Sequence, residues 1–153
     1  MYKKIATGFF AVAATTAVAL SLPAAASAAS YDRSESFGPV YAQRFLAKAE
    51  GRVFVDWDRR GRSNEVTVSG RLQDLDRRSY EEGGKCAYVS FQANDFHRHW
   101  NTVYTDRYCG FPGSERISFR EDDVRSLRVQ VCQVGPRGGF PTNCGRWEYL
   151  STR

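Results

Sequence analysis

The stretch from Ser126 to Leu150, SLRVQVCQVGPRGGFPTNCGRWEYL, carries two alternating runs on either side of a Gly/Pro-rich loop, with a cysteine at the loop end of each. Folded as a hairpin with Cys132 opposite Cys144, it sets Gln130 against Arg146 and Arg128 against Glu148 on one face. Leu127, Val129 and Val131 then meet Tyr149, Trp147 and Gly145 on the other. A disulfide, an ion pair and a hydrogen-bonding pair share the outer face and an aliphatic–aromatic set shares the inner one, as a half-buried antiparallel pair requires. The chain is thereby committed to sheet structure around this hairpin.

The N-terminus reads as an export signal. Lys3 and Lys4 precede an uncharged, Ala-rich run from Ile5 to Leu22, followed by Pro23 and the small-residue string AAASAA. Cleavage is expected between Ala28 and Ala29, with an earlier site at Ala24 to Ala26. No basic stop-transfer cluster follows the run, so no membrane partner is expected after removal, and the protein is expected to be secreted. Removing residues 1–28 of the 153 leaves 125, a length for one domain with one core, and loses Lys3 and Lys4, which takes the formal charge from +5 to +3. The remaining cations are interspersed with Asp and Glu, so no nucleic acid partner is expected. The expected organisation is a signal over 1–28, an N-terminal tail with a possible first strand over 29–49, and a β-sandwich over 50–153; a monomer is expected.

All four cysteines, Cys86, Cys109, Cys132 and Cys144, lie after the signal, and an even number in an exported chain implies two disulfides. Of the three pairings possible, Cys86 with Cys109 and Cys132 with Cys144 closes a hairpin each time and places the sulfurs side by side. No CxxC spacing exists to support a zinc site.

Along the rest of the chain, Ala29 to Ser36 reads as a loose tail. Phe37, Tyr41, Phe45, Ala47, Ala49, Val53, Val55 and Trp57 share one parity, as in a long strand kinked at Gly51; the alternative is a short helix begun at Pro39 with Tyr41, Phe45 and Ala49 on its apolar face. Val66, Val68, Gly70 and Leu72 return beside it after the turn RRGRSN, giving a first hairpin. Gln73 to Lys85 is a charged connection. Cys86 to Ala93 opens a second hairpin, in which the Cys86/Cys109 pairing places Phe91 opposite Tyr104, Ala87 opposite Tyr108 and Val89 opposite Asp106. Ile117 and Phe119 form a further short strand before Leu127. Seven or eight short strands without a helix or repeat predict an all-β antiparallel sandwich, with a small barrel as the alternative.

The strings CAYVSFQ, YCG, LRVQVCQ and CGRW, in that order after a GRL strand, resemble a broad group of small exported two-disulfide β-sandwich proteins of high-GC Gram-positive bacteria. The resemblance spans Gly51 to Tyr149. It implies the fold and the compartment and carries no activity with it.

Candidate functional residues concentrate in Asn94 to Trp100, NDFHRHW, at the tip of the second hairpin. Phe96, His97, Arg98, His99 and Trp100 combine rings, imidazoles and a guanidinium, which suits stacking on a sugar or anchoring a protein partner; the alternative is that Phe96 or Trp100 caps the sandwich edge. Asp95, His97 and His99 could ligate an ion if extended, but a turn at His97 and Arg98 breaks the alternation, so neither a metal nor a cofactor is expected. Arg137, in the loop closed by Cys132 and Cys144, fits a protease-inhibitor loop, although Gly138 and Gly139 loosen it. No GxSxG or free thiol supports nucleophilic catalysis. Asp56 and Asp58 share a strand face as a glycosidase pair would, and His97 or His99 could serve a nuclease; both are weaker readings than strand alternation and solvated loops, and no catalytic residue is assigned. The expectation is a binding module for a cell-envelope or extracellular ligand, with a serine protease inhibitor and a small secreted nuclease or glycosidase as alternatives.

Overall fold

In the computed structural model, residues 33–95 and 99–152 are described. The expected signal over 1–28 and three of the proposed binding residues, Phe96, His97 and Arg98, lie outside them. Among the described residues, eight strands form two four-stranded antiparallel sheets. In the first sheet β1 (Arg33–Tyr41), β2 (Ala47–Trp57), β3 (Asn64–Asp74) and β6 (Ser114–Asp122) lie in that order. In the second the order is β5 (Trp100–Tyr108), β4 (Cys86–Asn94), β7 (Ser126–Val134) and β8 (Glu148–Leu150). The all-β sandwich and both disulfides, Cys86–Cys109 and Cys132–Cys144, are as the sequence predicts.

Alternation sets which face of each strand is buried. Val53 and Val55 of β2 sit opposite Val68 and Val66 of β3, and Ala87, Val89 and Phe91 of β4 face them from the second sheet, all with essentially no exposure. Phe91 is the hub of the aromatic packing, with Phe37, Phe119 and Tyr104 at ring-centre distances of 5.8, 5.0 and 6.1 Å. Tyr104 and Phe119 stack at 4.7 Å and join β5 to β6 where the two sheets meet at one side. The second hairpin has the expected register, with Phe91 opposite Tyr104, Ala87 opposite Tyr108 and Val89 opposite Asp106.

Two elements differ from the sequence reading. The segment from Arg33 to Trp57 is a hairpin of two strands, in place of a loose tail followed by one kinked strand. The reversal at Gln43–Phe45 holds Arg44 and Phe45 at φ values of 59° and 57°, and no Gly or Asn announces it. Gly51, read as the kink, lies inside β2 opposite both Phe37 and Gly70, where a Cβ would strike the Ser69 carbonyl oxygen.

The C-terminal hairpin is also out of the expected register. Gln133 bridges Thr142, the Gly145 amide donates to the Val131 carbonyl at 2.9 Å, and Val129 pairs with Glu148, so the returning chain twice spends three residues where its partner spends two. Gly145 is pressed against the Tyr41 carbonyl, where no Cβ would fit, and the four residues from Cys144 to Trp147 form no ladder. Arg128 is therefore opposite Tyr149 and not Glu148, and Leu150 takes the core-facing place opposite Leu127.

Candidate binding surfaces

The register shift builds the first surface. Gln92 of β4, Thr102 of β5, Arg128 of β7 and Tyr149 of β8 are neighbours across the outer face of the second sheet, with Trp100 opposite Asn94 two pairs further along β5. The Arg128 guanidinium lies 4.1 Å from the centre of the Trp100 ring and 4.5 Å from that of Trp147, so it is held between two indoles. Its Nε and Nη2 donate to Gln92 Oε1 at 3.0 and 2.6 Å, and Nη1 to the Tyr149 hydroxyl at 3.5 Å. Gln92 Nε2 in turn donates to Thr102 Oγ1 at 3.3 Å. Trp100 and Tyr149 meet edge to face at 5.8 Å. With the Asn94 amide turned so that its oxygen faces the indole, Trp100 Nε1 donates to it at 3.3 Å. The cation thus orders three rings on a face where a sandwich normally shows water-facing polar side chains. Tyr149 remains 67% exposed, and both Trp100 and Trp147 are half-buried.

Of the sequence-predicted residues, Trp100 belongs to this platform. His99 is exposed beside it, its backbone amide donating to Asp95 Oδ1 at 3.4 Å. Trp147, Tyr149, Arg128 and Gln92 were missed because the expected register turned Trp147 and Tyr149 inward and gave Arg128 to Glu148. Their signal was present in part: Gln92 and Arg128 both occupy outward positions of alternating strands.

Arg137 lies elsewhere. The end of the sandwich where Cys86 pairs with Val134 is separated from the end where Asn94 pairs with Ser126 by the length of β4, about 26 Å. There the loops 75–85 and 109–113, together with Pro136, border an open cleft of about 390 Å³. Arg137 lies 5.6 Å from the Tyr80 ring centre and Arg77 lies 5.5 Å from that of Phe111. In the disulfide-closed loop Phe140 is 94% exposed, and Arg137 is exposed as well.

The carboxylates at this end hold the loops together. Asp76, with a side chain 1% exposed, accepts from Arg78 Nε and Nη2 at 2.8 Å each, from the Arg78 and Lys85 amides at 3.2 Å, and from Gln133 Nε2 at 3.1 Å. The Arg78 guanidinium, with these amide donors, holds the Asp76 carboxyl far below the usual carboxylate range. Asp74 accepts from the Asp76 and Gly110 amides at 3.0 and 3.2 Å, and burial raises its pKa.

Of the two strand aspartates, Asp58 serves a turn. Asp58 Oδ1 accepts the Arg62 and Ser63 amides at 2.6 and 3.3 Å and so closes the β2–β3 turn, and the Arg62 amide is the first cause of its lowered pKa. No group of three or more His, Cys, Asp or Glu among the described residues could hold a metal ion, and none of the helices among them is long and apolar enough to cross a membrane. The chain matches no family model, no curated protein and no solved structure.

Proposed function

We propose that this protein is a secreted binding module that holds a cell-envelope or extracellular polymer on the outer face of its second sheet. The observation that carries the reading is the Trp100–Arg128–Trp147 stack. Three ordered rings on a flat, exposed sheet face, with the amides of Gln92 and Gln130 and the hydroxyl of Thr102 among them, match the CH-rich faces and hydroxyls of an extended glycan. Rigid aromatic groups lose little conformational freedom on binding, and a flat face suits a polymer better than a small molecule, which would seek a concavity. Two disulfides and no free cysteine accord with an oxidising compartment. The resemblance to exported proteins of high-GC Gram-positive bacteria points to the same setting.

The test is co-sedimentation of the oxidised protein, from Ala29 onward, with insoluble cell-wall polymer at low and high salt. Retention is expected to survive high salt, because ring stacking is not screened as ion pairs are, and to vanish in a Trp100→Ala/Trp147→Ala variant whose circular dichroism stays native. Absence of retention at both salts would overturn the reading.

A further inference from the structure

The cleft at the opposite end has the makings of a second ligand site with different chemistry, one that the platform does not explain. Its volume of about 390 Å³ falls within the range of small-ligand sites, about 300–1,000 Å³. Tyr80 and Phe111, 56% and 42% exposed, both line it, and each has a guanidinium over its ring. A guanidinium lying over an aromatic ring keeps its in-plane N–H donors directed outward, where they suit a planar, two-oxygen anion.

The charges in and around the cleft are unequally engaged. Asp76 accepts from five donors, Asp74 from two backbone amides, and Glu82 Oε2 from the Ser79 amide and hydroxyl at 2.8 and 3.0 Å. These acids are consumed in shaping the loops. Among the described residues, no carboxylate lies within ion-pair distance of Arg77, Lys85 or Arg137; Lys85 Nζ donates to Thr142 Oγ1 at 2.7 Å. Positive charge is therefore left available at the rim.

Backbone groups of these loops are largely spent as well. The Glu82, Gly83 and Gly84 amides bond to Ser79 and Tyr80 carbonyls, Gly113 to Gly110, and Gly138 to Gly135. An added peptide strand would find few main-chain partners here. A ring that needs only side-chain faces and cations fits better. The Cys86–Cys109 disulfide lies in the cleft wall, and Arg107 Nη1 donates to the Pro136 carbonyl at 3.2 Å, so the walls are braced before any ligand arrives.

We propose that this cleft binds an anionic sugar, its ring against Tyr80 and Phe111 and its charged group held by Arg77 and Arg137. The charged group is a carboxylate, as on a hexuronate, or a phosphate, as on a hexose phosphate. Both present oxygens to guanidinium groups, and the experiment separates them.

The experiment titrates the ¹⁵N-labelled, oxidised protein with trigalacturonate, with glucose 6-phosphate, and with neutral galactotriose, following amide shifts by NMR. One of the anionic probes is expected to bind saturably, with the largest shifts at Arg77, Tyr80, Lys85 and Phe111, while the neutral trisaccharide leaves these amides in place. Arg77→Gln/Arg137→Gln is expected to weaken that binding about tenfold or more, with Phe111→Ala weakening it in a salt-independent way. The Trp100→Ala/Trp147→Ala variant retains it, so the cleft and the platform fail or succeed separately. Equal binding of galactotriose, no saturable binding of either anion, or shifts confined to other parts of the molecule would each overturn the proposal. Because the shift map is read on the unmutated protein, the result does not depend on the variants folding.

Discussion

Gln133 Nε2 donates to Asp76 Oδ2 at 3.1 Å, across 57 residues of sequence, from a side chain with no exposure. The same amide accepts Asn143 Nδ2 through its oxygen at 2.8 Å, so one buried glutamine ties the 75–85 connection to the disulfide-closed loop. A buried amide satisfied at both ends fixes the two loops relative to each other.

Asp76 should accordingly govern acid stability. Its pKa is lowered on folding, chiefly by Arg78, so its contribution is fully present above the unfolded carboxylate value of about 3.9 and declines as pH falls below that toward the folded value. Asp74 works the other way. Its raised pKa means that protonation relieves a cost of burial, which stabilises the fold as pH falls. Urea unfolding at neutral pH should show Asp76→Asn losing about 2–3 kcal/mol, the worth of charge-assisted bonds to a buried carboxylate. Its loss of stability on acidification should be shallower than that of the unmutated protein, and Asp74→Asn should make the loss steeper. An unchanged acid profile in Asp76→Asn would remove the assignment.

Trp100 distinguishes a binding surface from an edge cap. It is half-buried and contacts Arg128 and Tyr149 on the outer face, while the core is closed by Phe91, Phe37 and Leu127 without it. Trp100→Ala should cost only about 1 kcal/mol, the scale of a partly exposed cation–π contact, while abolishing polymer retention and the near-ultraviolet signal of the Trp100–Tyr149 pair. A much larger drop in melting temperature would show that the ring serves the fold.

The disulfides should contribute unequally. Cys86 and Cys109 are 23 residues apart and Cys132 and Cys144 are 12 apart, and the cost of closing a loop in the unfolded chain rises slowly with its length. Replacing either pair by serine should lower stability by about 3 kcal/mol, with the first slightly the more costly. Differential scanning calorimetry of the two double variants would read the difference. Loss of the second bridge should also free the loop that holds the Gln43 amide on the Asn143 carbonyl at 2.8 Å.

Much of this architecture was legible because period-two alternation is unambiguous in β2, β3 and β4, and because paired cysteines pin a register. The hairpin of β2 and β3 follows from alternation, and Phe91 opposite Tyr104 follows from the Cys86–Cys109 pairing. Alternation fails where the chain leaves the ladder. Nothing local in QRF signals two successive left-handed residues, so β1 and β2 merged into one strand. The residues between Cys144 and Glu148 form no ladder beyond the Gly145–Val131 bond, and the extra residues there turned Trp147 and Tyr149 outward. The platform was hidden for that reason: its members come from four strands and a loop, and one of those placements depended on a register that only tertiary contact with Tyr41 decides. The cleft was hidden more deeply, since Arg77, Tyr80 and Phe111 are brought together by loops whose course is set by buried hydrogen bonds.

Gly51 offers the sharpest test of strand packing. It faces Gly70 across β2 and β3 while the Phe37 ring covers the space that side chains would occupy. A Cβ at Gly51 would strike the Ser69 carbonyl oxygen and come within 2.7 Å of the Gly70 Cα and 2.8 Å of Phe37 Cε1. Two of those three obstacles are backbone, which cannot step aside without disturbing the ladder. Gly51→Ala should therefore cost about 2–4 kcal/mol, as overpacking in a rigid site does. Phe37→Ala should be destabilising in its own right, because a buried aromatic leaves a cavity, and should not rescue Gly51→Ala when the two are combined. Thermal unfolding of both single variants and the double variant decides the point. Restoration of stability in the double variant would mean that the Phe37 ring, and not the facing strand, is what excludes a side chain at this position.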